Sequence, residues 1–432
     1  MNPQPLPALL ANLDKERRNT YTRHLAFYAG TQWAGRARLG ERRLTFNYAR
    51  VLIDKVAAYV MAENDIHILP AAPSKAAINR ANQAETTLRN IADYNHLQAL
   101  DLDNEIDTSV LGDGAYKVSW DDLAHQVRIT SPDVQGLFAW RQPDDPARLL
   151  QVASQYQMPT AHHPITVTEL WTPTTFELWE DNNQLSSAPN PYGEIPFVLY
   201  PNIRRPKSPW GDSDIPAIQE TARELNRELS ALSQIMELSG NPIAVLENVD
   251  KAQDIAVQPG AVWEVPEKAR AYLLDLLAGN GVSLHVEYVN LLYRTLHDLA
   301  EVPRTAFGDN QRNLSGVALE VELQPLLQRV ARKRLVRSAA FHRRAQLALR
   351  IHDLIHGSNL AAAGTIATVW GPTVPRDRSR NIEQESALVR AGLSSYTSAL
   401  TRLGVDNPEA ELATWAAERL TVTHATQPPA AP

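Results

Sequence analysis

Apolar residues recur at helical spacing through most of the first quarter of the chain. Residues 4–30, 47–63 and 75–112 show this pattern, and the last segment is long enough for a helical pair. The end of that segment, residues 101–107, is acidic. It resembles a calcium loop in its spacing but lacks the glycine that such a loop needs for its turn. We therefore interpret the acidic run as a solvated helix face.

The pattern changes at residues 112–114, which we interpret as a turn. From there to about residue 202 the chain consists of short alternating segments, separated by turn-forming clusters at residues 143–146 and 190–193. A period of two places every second side chain on one face of a sheet. The pattern predicts an antiparallel β region within a mainly helical protein of the α+β class.

Two amphipathic helices follow, each with a heptad-like apolar seam and a charged back. The first begins at Ser213 or Asp214, either of which is a suitable N-cap. If it continues to residue 239, it is on the order of 40 Å long at about 1.5 Å per residue. The seams consist of Ile218, Ala222, Leu225, Leu229, Leu232 and Met236 in the first helix, and of His285, Val289, Leu292, Leu296 and Leu299 in the second.

An insert of about 40 residues separates the two helices and is too small to bury much core on its own. Short strands are predicted within it at residues 243–246 and 261–265. Two interpretations stay open at this point. The segment is either a helical hairpin with a decorated tip or a stem with a clip at its end.

A polar loop occupies residues 303–315, where Pro303 and Gly308 prevent a continuous helix. Ser315 is a natural N-cap for the long helix that follows, which we expect to run to about residue 356. Pro325 lies ten residues into that helix. Because proline removes one backbone hydrogen bond, it should kink the helix there.

This long helix is strongly basic, and no acidic residue interrupts it between residues 328 and 350. Like charges at this density are unfavourable in isolation, so they need acidic partners or phosphate. Salt bridges to acidic helices of a neighbouring segment or subunit are favoured over direct DNA contact, because the net charge of the chain is −7. The basic residues are Arg329, Arg332, Lys333, Arg334, Arg337, Arg343, Arg344 and Arg350.

The C-terminal part of the chain is simpler. Residues 364–380 are predicted to be a loop, residues 383–403 and 409–420 a last helical pair, and residues 426–432 a disordered tail.

Composition narrows the possible functions. A chain of 432 residues with 44% hydrophobic and 21% charged residues is globular and has room for two to four modules. No stretch approaches the roughly 18 apolar residues of a membrane span, and no secretory signal is visible. The absence of cysteine excludes disulfides and thiolate chemistry and fits synthesis in a reducing cytoplasm. Because no catalytic, metal-binding or cofactor motif is found, we expect neither a metal nor a cofactor.

Short blocks of sequence lie at residues 28–30, 47, 53–59, 114–118, 132, 195–197, 209–214, 301–303, 313–319, 392–397 and 407–411. Taken together and in this order, they resemble the portal proteins of tailed double-stranded DNA bacteriophages. Each block is short, but the set covers nearly the whole chain.

The resemblance implies a subunit of a ring, usually dodecameric, with a central channel at one capsid vertex. The implied parts are a wing at residues 1–208, stem helices at 209–240 and 283–302, a clip at 241–282, a tunnel loop at 303–316, a kinked long helix and further wing at 317–375, a crown at 376–425 and a disordered tail at 426–432. The clip and the crown are short for this family.

The resemblance also implies the partners and the place of action. The partners would be other copies of the chain, double-stranded DNA in the channel, the terminase large subunit, head-completion or adaptor proteins, and the major capsid and scaffold proteins. No membrane is involved, and the ring would be assembled in the host cytoplasm and remain in the virion. In the tunnel loop, the residues expected to face DNA are Arg304, Asp309, Asn310, Gln311, Arg312 and Asn313.

We therefore expect a non-enzymatic portal ring for DNA packaging and ejection. Two alternatives stay open. One is another ring-forming connector or tail-adaptor protein, and the other is a phage enzyme, such as a nuclease or a protein-modifying enzyme, fused to portal-like helices.

Overall fold

A computed structural model gives the fold and describes residues 5–39, 41–62, 64–145, 148–160, 163–206, 208–240, 243–247, 270–274, 281–308, 316–373, 378–405 and 408–425. Helices make up 53% and strands 21% of the described residues, which agrees with the predicted α+β class. The chain divides into two compact units, Met1–Trp370 and Gly371–Pro432.

The first unit begins with three helices, α1 (Leu6–Asn12), α2 (Lys15–Tyr28) and α3 (Tyr48–Val60). The predicted first helix is therefore two helices, because Asp14 adopts a left-handed conformation between them. In α3 the apolar positions at helical spacing are buried, as the pattern predicts. Asn47 caps this helix by accepting a hydrogen bond from the Arg50 backbone N–H at 3.2 Å.

A strand and a helical pair come next: β1 (Asn64–Pro70), α4 (Lys75–Tyr94) and α5 (Leu97–Leu111). Ser74 caps α4. Gly112 ends α5 with φ +108°, a conformation that favours glycine. A Cβ atom at Gly112 would lie 2.9 Å from the Ser213 backbone nitrogen, so this turn also brings α5 close to the start of the next long helix.

The predicted β region is present as two antiparallel sheets. β2 (Asp113–Asp121) lies between β3 (Gln126–Thr130) and β9 (Phe197–Pro201). The second sheet has five strands in sequence order, each antiparallel to its neighbours. They are β4 (Leu137–Arg141), β5 (Leu149–Met158), β6 (Ile165–Trp171), β7 (Thr175–Glu180) and β8 (Asn183–Pro189).

Three long helices follow: α6 (Ile215–Gly240), α7 (Gly281–Leu299) and α8 (Gly316–His356). Between α6 and α7 the strands β10 (Ile243–Glu247) and β11 (Arg270–Leu274) pair antiparallel. The strand predicted at residues 261–265 lies outside the described residues. Pro325 lies inside α8, whose helical assignment is continuous.

The expectation of a loop at residues 364–380 is wrong for residues 364–370 and for residues 378–380, which begin a helix. Residues Gly364–Trp370 form β12, which pairs antiparallel with β1, with Ile366 opposite Ile68. The segment alternates and is rich in β-branched residues, which favours a strand. The glycine at its start and the prolines after it led to the loop prediction.

The largest core cluster of the first unit surrounds the second half of α8. Side chains from α4, β2, β3 and β9 pack there against Phe341, Leu347, Leu349 and Ile351. The Tyr116 and Tyr200 rings stack with their centroids 5.9 Å apart, and Phe341 packs edge-on against Tyr116. This packing fixes α8 against both the N-terminal helices and the three-stranded sheet.

The second unit contains α9 (Arg378–Arg390), α10 (Tyr396–Arg402) and α11 (Pro408–Ala425). The prediction of one helix over residues 383–403 is wrong, because Gly392 adopts φ +71° and Ser395 caps a new helix by accepting from the Ser398 N–H at 3.1 Å. The second predicted helix corresponds to α11. The tail at residues 426–432 lies outside the described residues.

Candidate functional site

The apolar seams of α6 and α7 form the first part of the site, because the two helices pack against each other. Ile218, Leu225 and Leu296 are buried. Farther along the pair, Leu229, Leu232, Val289 and Leu292 are half-buried, while Met236 and Leu284 are exposed. A hydrogen bond of 3.0 Å between His285 Nδ1 and Glu228 Oε2 also joins the helices. Along α6, burial of the seam therefore decreases away from the start of the helix. The prediction of Leu299 as a seam residue of α7 is wrong, because its side chain is exposed in the last turn of that helix.

The C-terminal end of α7 turns sharply toward the polar loop. Glu301 adopts φ +52°, and the Val302 N–H donates to the His297 carbonyl oxygen at 3.1 Å. The His297 Nδ1 lies 2.7 Å from the Val302 carbonyl oxygen, so it donates that hydrogen bond. A short 3₁₀ turn, Arg304–Phe307, follows and ends at Gly308. The root of the loop is thus tied back to the helix before it.

Aromatic side chains pack around this root. The Tyr293 and Phe307 rings lie edge-on to His297 at 4.6 and 5.7 Å, and Tyr48 of α3 contacts Tyr293 at 5.3 Å. Burial lowers the pKa of His297, which favours the neutral ring. The Arg304 guanidinium lies 5.1 Å from the centre of the Tyr293 ring, within cation–π range. Arg304 therefore packs at the base of the loop.

The remaining loop predictions fall on Asp309, Asn310, Gln311, Arg312, Asn313 and the cap Ser315, all of which lie outside the described residues. The helix behind them begins at Gly316, where the cap was expected to start it. The kink at Pro325 stays a prediction.

The basic residues of α8 form the second part of the site, and several of them are buried. Lys333 Nζ donates to three oxygens: Ser109 Oγ at 2.8 Å, Asn202 Oδ1 at 2.7 Å and Asp214 Oδ2 at 2.8 Å. Arg329 pairs with the other oxygen of Asp214 at 3.0 Å and donates to the Ala300 carbonyl oxygen. One carboxylate at the start of α6 therefore holds two cations of α8.

A second set of contacts joins α8 to α5. The Arg337 guanidinium donates to both oxygens of Glu105 and also bonds the backbone and side-chain oxygens of Asn202. Farther along, Arg344 forms a two-pronged pair with Asp101. Arg332 differs, because it is exposed and pairs with Glu301 next to the loop. Such forked arginine–carboxylate pairs fix orientation as well as distance.

The interpretation of residues 101–107 as a solvated face is wrong in its central part. Asp101, Asn104 and Glu105 are buried, and the two carboxylates are the partners that the basic helix needed. The favoured alternative for Arg329, Lys333 and Arg337, salt bridges to acidic residues, is confirmed, and these partners lie in the same chain.

The pairing between α5 and α8 was not predicted, although the sequence carries a signal for it. Asp101 and Glu105 are four residues apart on one helix, as are Lys333 and Arg337 on another, so each pair shares one helix face. Asp214 was noted only as a possible cap. Its neighbour Ser213 provides the hydrogen bond at the start of α6 instead, because Ser213 Oγ accepts from the Ile215 N–H at 3.0 Å.

The electrostatics of the network follow from burial and proximity. Burial alone would raise the pKa of Asp214, but Lys333 and Arg329 outweigh it and hold that pKa below its ordinary value. Burial also lowers the pKa of Lys333, although Asp214 and Glu105 oppose this. The pKa of Arg337 is raised because Glu105 outweighs the effect of burial. These directions favour the charged forms of Asp214 and Arg337.

The described residues contain no group of three or more histidine, aspartate or glutamate side chains placed to hold a metal ion. His352 and His356, four residues apart on α8, stack with their ring centroids 4.2 Å apart, but no third ligand joins them in that part of the chain. No helix among the described residues has both the length and the apolar character required to cross a membrane.

Two long packed helices thus lead into a polar segment whose first residues are anchored to the second of them. The sequence model of one family, described as phage portal protein, SPP1 Gp6-like, matches residues 14–423 of the 432-residue chain. The chain therefore belongs to the phage portal proteins, in the SPP1 Gp6-like family. No curated protein sequence matches it significantly. Portal proteins are structural, and this family implies a place at the capsid vertex of the virion.

Proposed function

We propose that this chain forms a closed ring, usually of twelve copies, around the channel through which phage DNA is packaged and ejected. The observation that carries the proposal is the arrangement of α6, α7 and α8. Two packed helices with exposed apolar positions at their far ends lead into a polar loop, and the buried network of Asp214 fixes the start of α6 to α8.

The resemblance to portal proteins gives each part of the subunit its proposed role. Residues 1–208 and 317–375 form the wing, α6 and α7 the stem, residues 241–282 the clip, 303–316 the tunnel loop and 376–425 the crown. The clip docks the terminase large subunit during packaging and later the head-completion or adaptor proteins. The outer parts of the ring contact the major capsid and scaffold proteins.

Charge distribution supports a channel that lets DNA slide. The chain has a net charge of −7, and Arg329, Lys333, Arg337 and Arg344 are buried in ion pairs. Cations used in this way are not available to bind phosphates, and strong phosphate binding would hold DNA in place. The tunnel loop touches DNA through residues 309–313, while Arg304 supports its base. Energy comes from the terminase motor.

Electron microscopy of the purified protein tests this function. We expect rings with an axial hole, and native mass spectrometry should give a single subunit number near twelve. A compact monomer with metal-dependent nuclease activity would contradict the portal function and support the phage-enzyme alternative. Rings that fail to bind a terminase large subunit but bind tail proteins would instead favour the adaptor alternative.

A further inference from the structure

A groove of about 730 Å³ lies between the middle of α8, β9 and the facing ends of β4 and β5. Its floor is apolar and includes Ile195, Phe197 and Val336. The proposed function does not use this surface. We call it the arginine groove, because Arg141, Arg148, Arg204 and Arg343 line it.

The arginine groove is positively charged although the chain as a whole is negative. Four arginines face one carboxylate, Glu194, among the lining residues. Glu194 is already engaged, because it bonds Arg343 at 2.5 Å and Arg350 at 3.0 Å. Arg148 and Arg204 are exposed. The groove therefore suits an occupant that carries negative charge.

The occupant must also be apolar, because Leu335 lies at the edge of the groove with 75% of its surface exposed. Leu335 belongs to a stripe on α8 that faces away from the core and contains no charge. This stripe consists of Val321, Gln324, Gln328, Ala331, Leu335 and Ala339, all exposed in the single chain. An uncharged exposed stripe of this kind is typical of a protein contact rather than a nucleic-acid contact.

A segment with the required chemistry lies at the other end of the same stripe. Glu320, Val321 and Glu322 are exposed near the start of α8, with Val321 65% exposed between the two carboxylates. We call these three residues the acidic turn. Val321 and Leu335 are 14 positions apart, which corresponds to about 21 Å along a helix. At that distance the acidic turn is unsuited to reach the groove of its own chain.

We propose that the acidic turn of one subunit occupies the arginine groove of its neighbour. Val321 packs against Leu335 and the apolar floor, while Glu320 and Glu322 meet Arg148 and Arg204. Because the two surfaces differ, the contact is heterologous, and repetition of such a contact with rotation closes a ring. This inference rests on the proposed ring and names one of the contacts that would hold it together.

Charge exchange tests the proposed contact. The variants are R148E/R204E, E320R/E322R and the combination of all four substitutions. We expect each double variant to raise the protein concentration needed for half-assembly by about tenfold or more, measured by light scattering and electron microscopy at moderate salt. The quadruple variant should recover assembly, because it restores opposite charges between the groove and the acidic turn. The matched control, R80E/R128E, reverses two exposed arginines outside the groove and should assemble normally.

The outcomes separate this inference from the function on which it rests. If the wild-type chain forms no rings, both fail. If wild-type rings form but the double variants assemble normally, the proposed groove contact is wrong and the proposed ring is unaffected. The same conclusion follows if the quadruple variant does not recover assembly. Loss of DNA binding by R148E/R204E with unchanged assembly would show that the groove takes phosphate, and this would also overturn the proposed contact.

Discussion

The Arg337 guanidinium meets the Glu105 carboxylate in a forked pair, with Nε 2.7 Å from Oε2 and Nη2 2.9 Å from Oε1. Both side chains are completely buried. The pair connects α8 to α5 over more than 200 positions of sequence. Asn202 and the Pro201 carbonyl oxygen accept the remaining arginine hydrogen bonds, so no nitrogen of this fork faces an apolar surface alone.

Removing the charge of Glu105 should destabilise the first unit strongly. The substitution Glu105→Gln keeps the shape but leaves Arg337 without its counter-charge, which typically costs about 3–5 kcal/mol in the free energy of unfolding. Urea denaturation measures this loss. The matched control is Glu301→Gln, which breaks the exposed pair with Arg332 and should cost less than about 1 kcal/mol. Equal losses of unfolding free energy in the two variants would contradict the burial of the Glu105–Arg337 pair.

Asp113 should make stability depend on pH. Burial raises the pKa of this carboxyl to about 6, against the hydrogen bonds from Tyr21 and Gly211. The folded protein therefore binds this proton more tightly than the unfolded chain. The stabilisation is complete below the ordinary pKa of 3.8 and is lost as pH rises through about 6.

The substitution Asp113→Asn removes this titration. Relative to the variant, we expect the wild type to lose about 2 kcal/mol of unfolding free energy between pH 4 and pH 8. Chemical denaturation at several pH values gives the difference. Asp133→Asn, at an exposed aspartate, serves as the control. Parallel pH profiles of the wild type and Asp113→Asn would disprove the assignment.

The polar loop should be needed for DNA handling but not for assembly. Replacement of residues 310–313 by a Gly-Ser linker of equal length removes their side chains without shortening the chain. We expect intact rings that package or retain less DNA, measured as nuclease-protected DNA in a packaging reaction. The same linker at residues 122–125, the turn between β2 and β3, is the control. Normal packaging by the loop variant would refute the loop assignment.

The half-buried part of the α6 seam should be needed for assembly. Aspartate at Leu229 and Leu232 places unpaired charge where side chains are already partly removed from water, and this is costly. We expect a lower yield of rings in size-exclusion chromatography. Arg227→Asp, at an exposed position on the charged back of α6, is the control and should leave the yield unchanged. Unchanged ring yield in the Leu229 and Leu232 variant would mean that the seam is not an assembly surface.

Local patterns were sufficient to predict most helices and the antiparallel region. The apolar stripe of α3, for example, recurs over a few residues, and such a signal is visible in one sequence. The division of residues 383–403 was missed although Gly392 was visible, because a single glycine does not always end a helix.

Long-range partners could not be predicted in the same way. The sequence showed that the cations of α8 needed carboxylates, but not that Glu105 and Asp214 supply them, because their distance in sequence carries no pairing signal. For the same reason residues 101–107 were taken for a solvated face. The loop prediction at residues 364–370 failed because the partner strand of β12 is β1, which lies about 300 positions earlier in the sequence.

The pairing of β1 with β12 has a consequence for synthesis. Ile68 lies opposite Ile366, so about 300 residues separate the two partners in sequence. Contacts of such high sequence separation form late, since the chain between them must first be ordered. During translation, β1 therefore has no partner strand until nearly the whole first unit has emerged from the ribosome. The first unit of a chain therefore cannot complete its fold until residues Gly364–Trp370 have been synthesised.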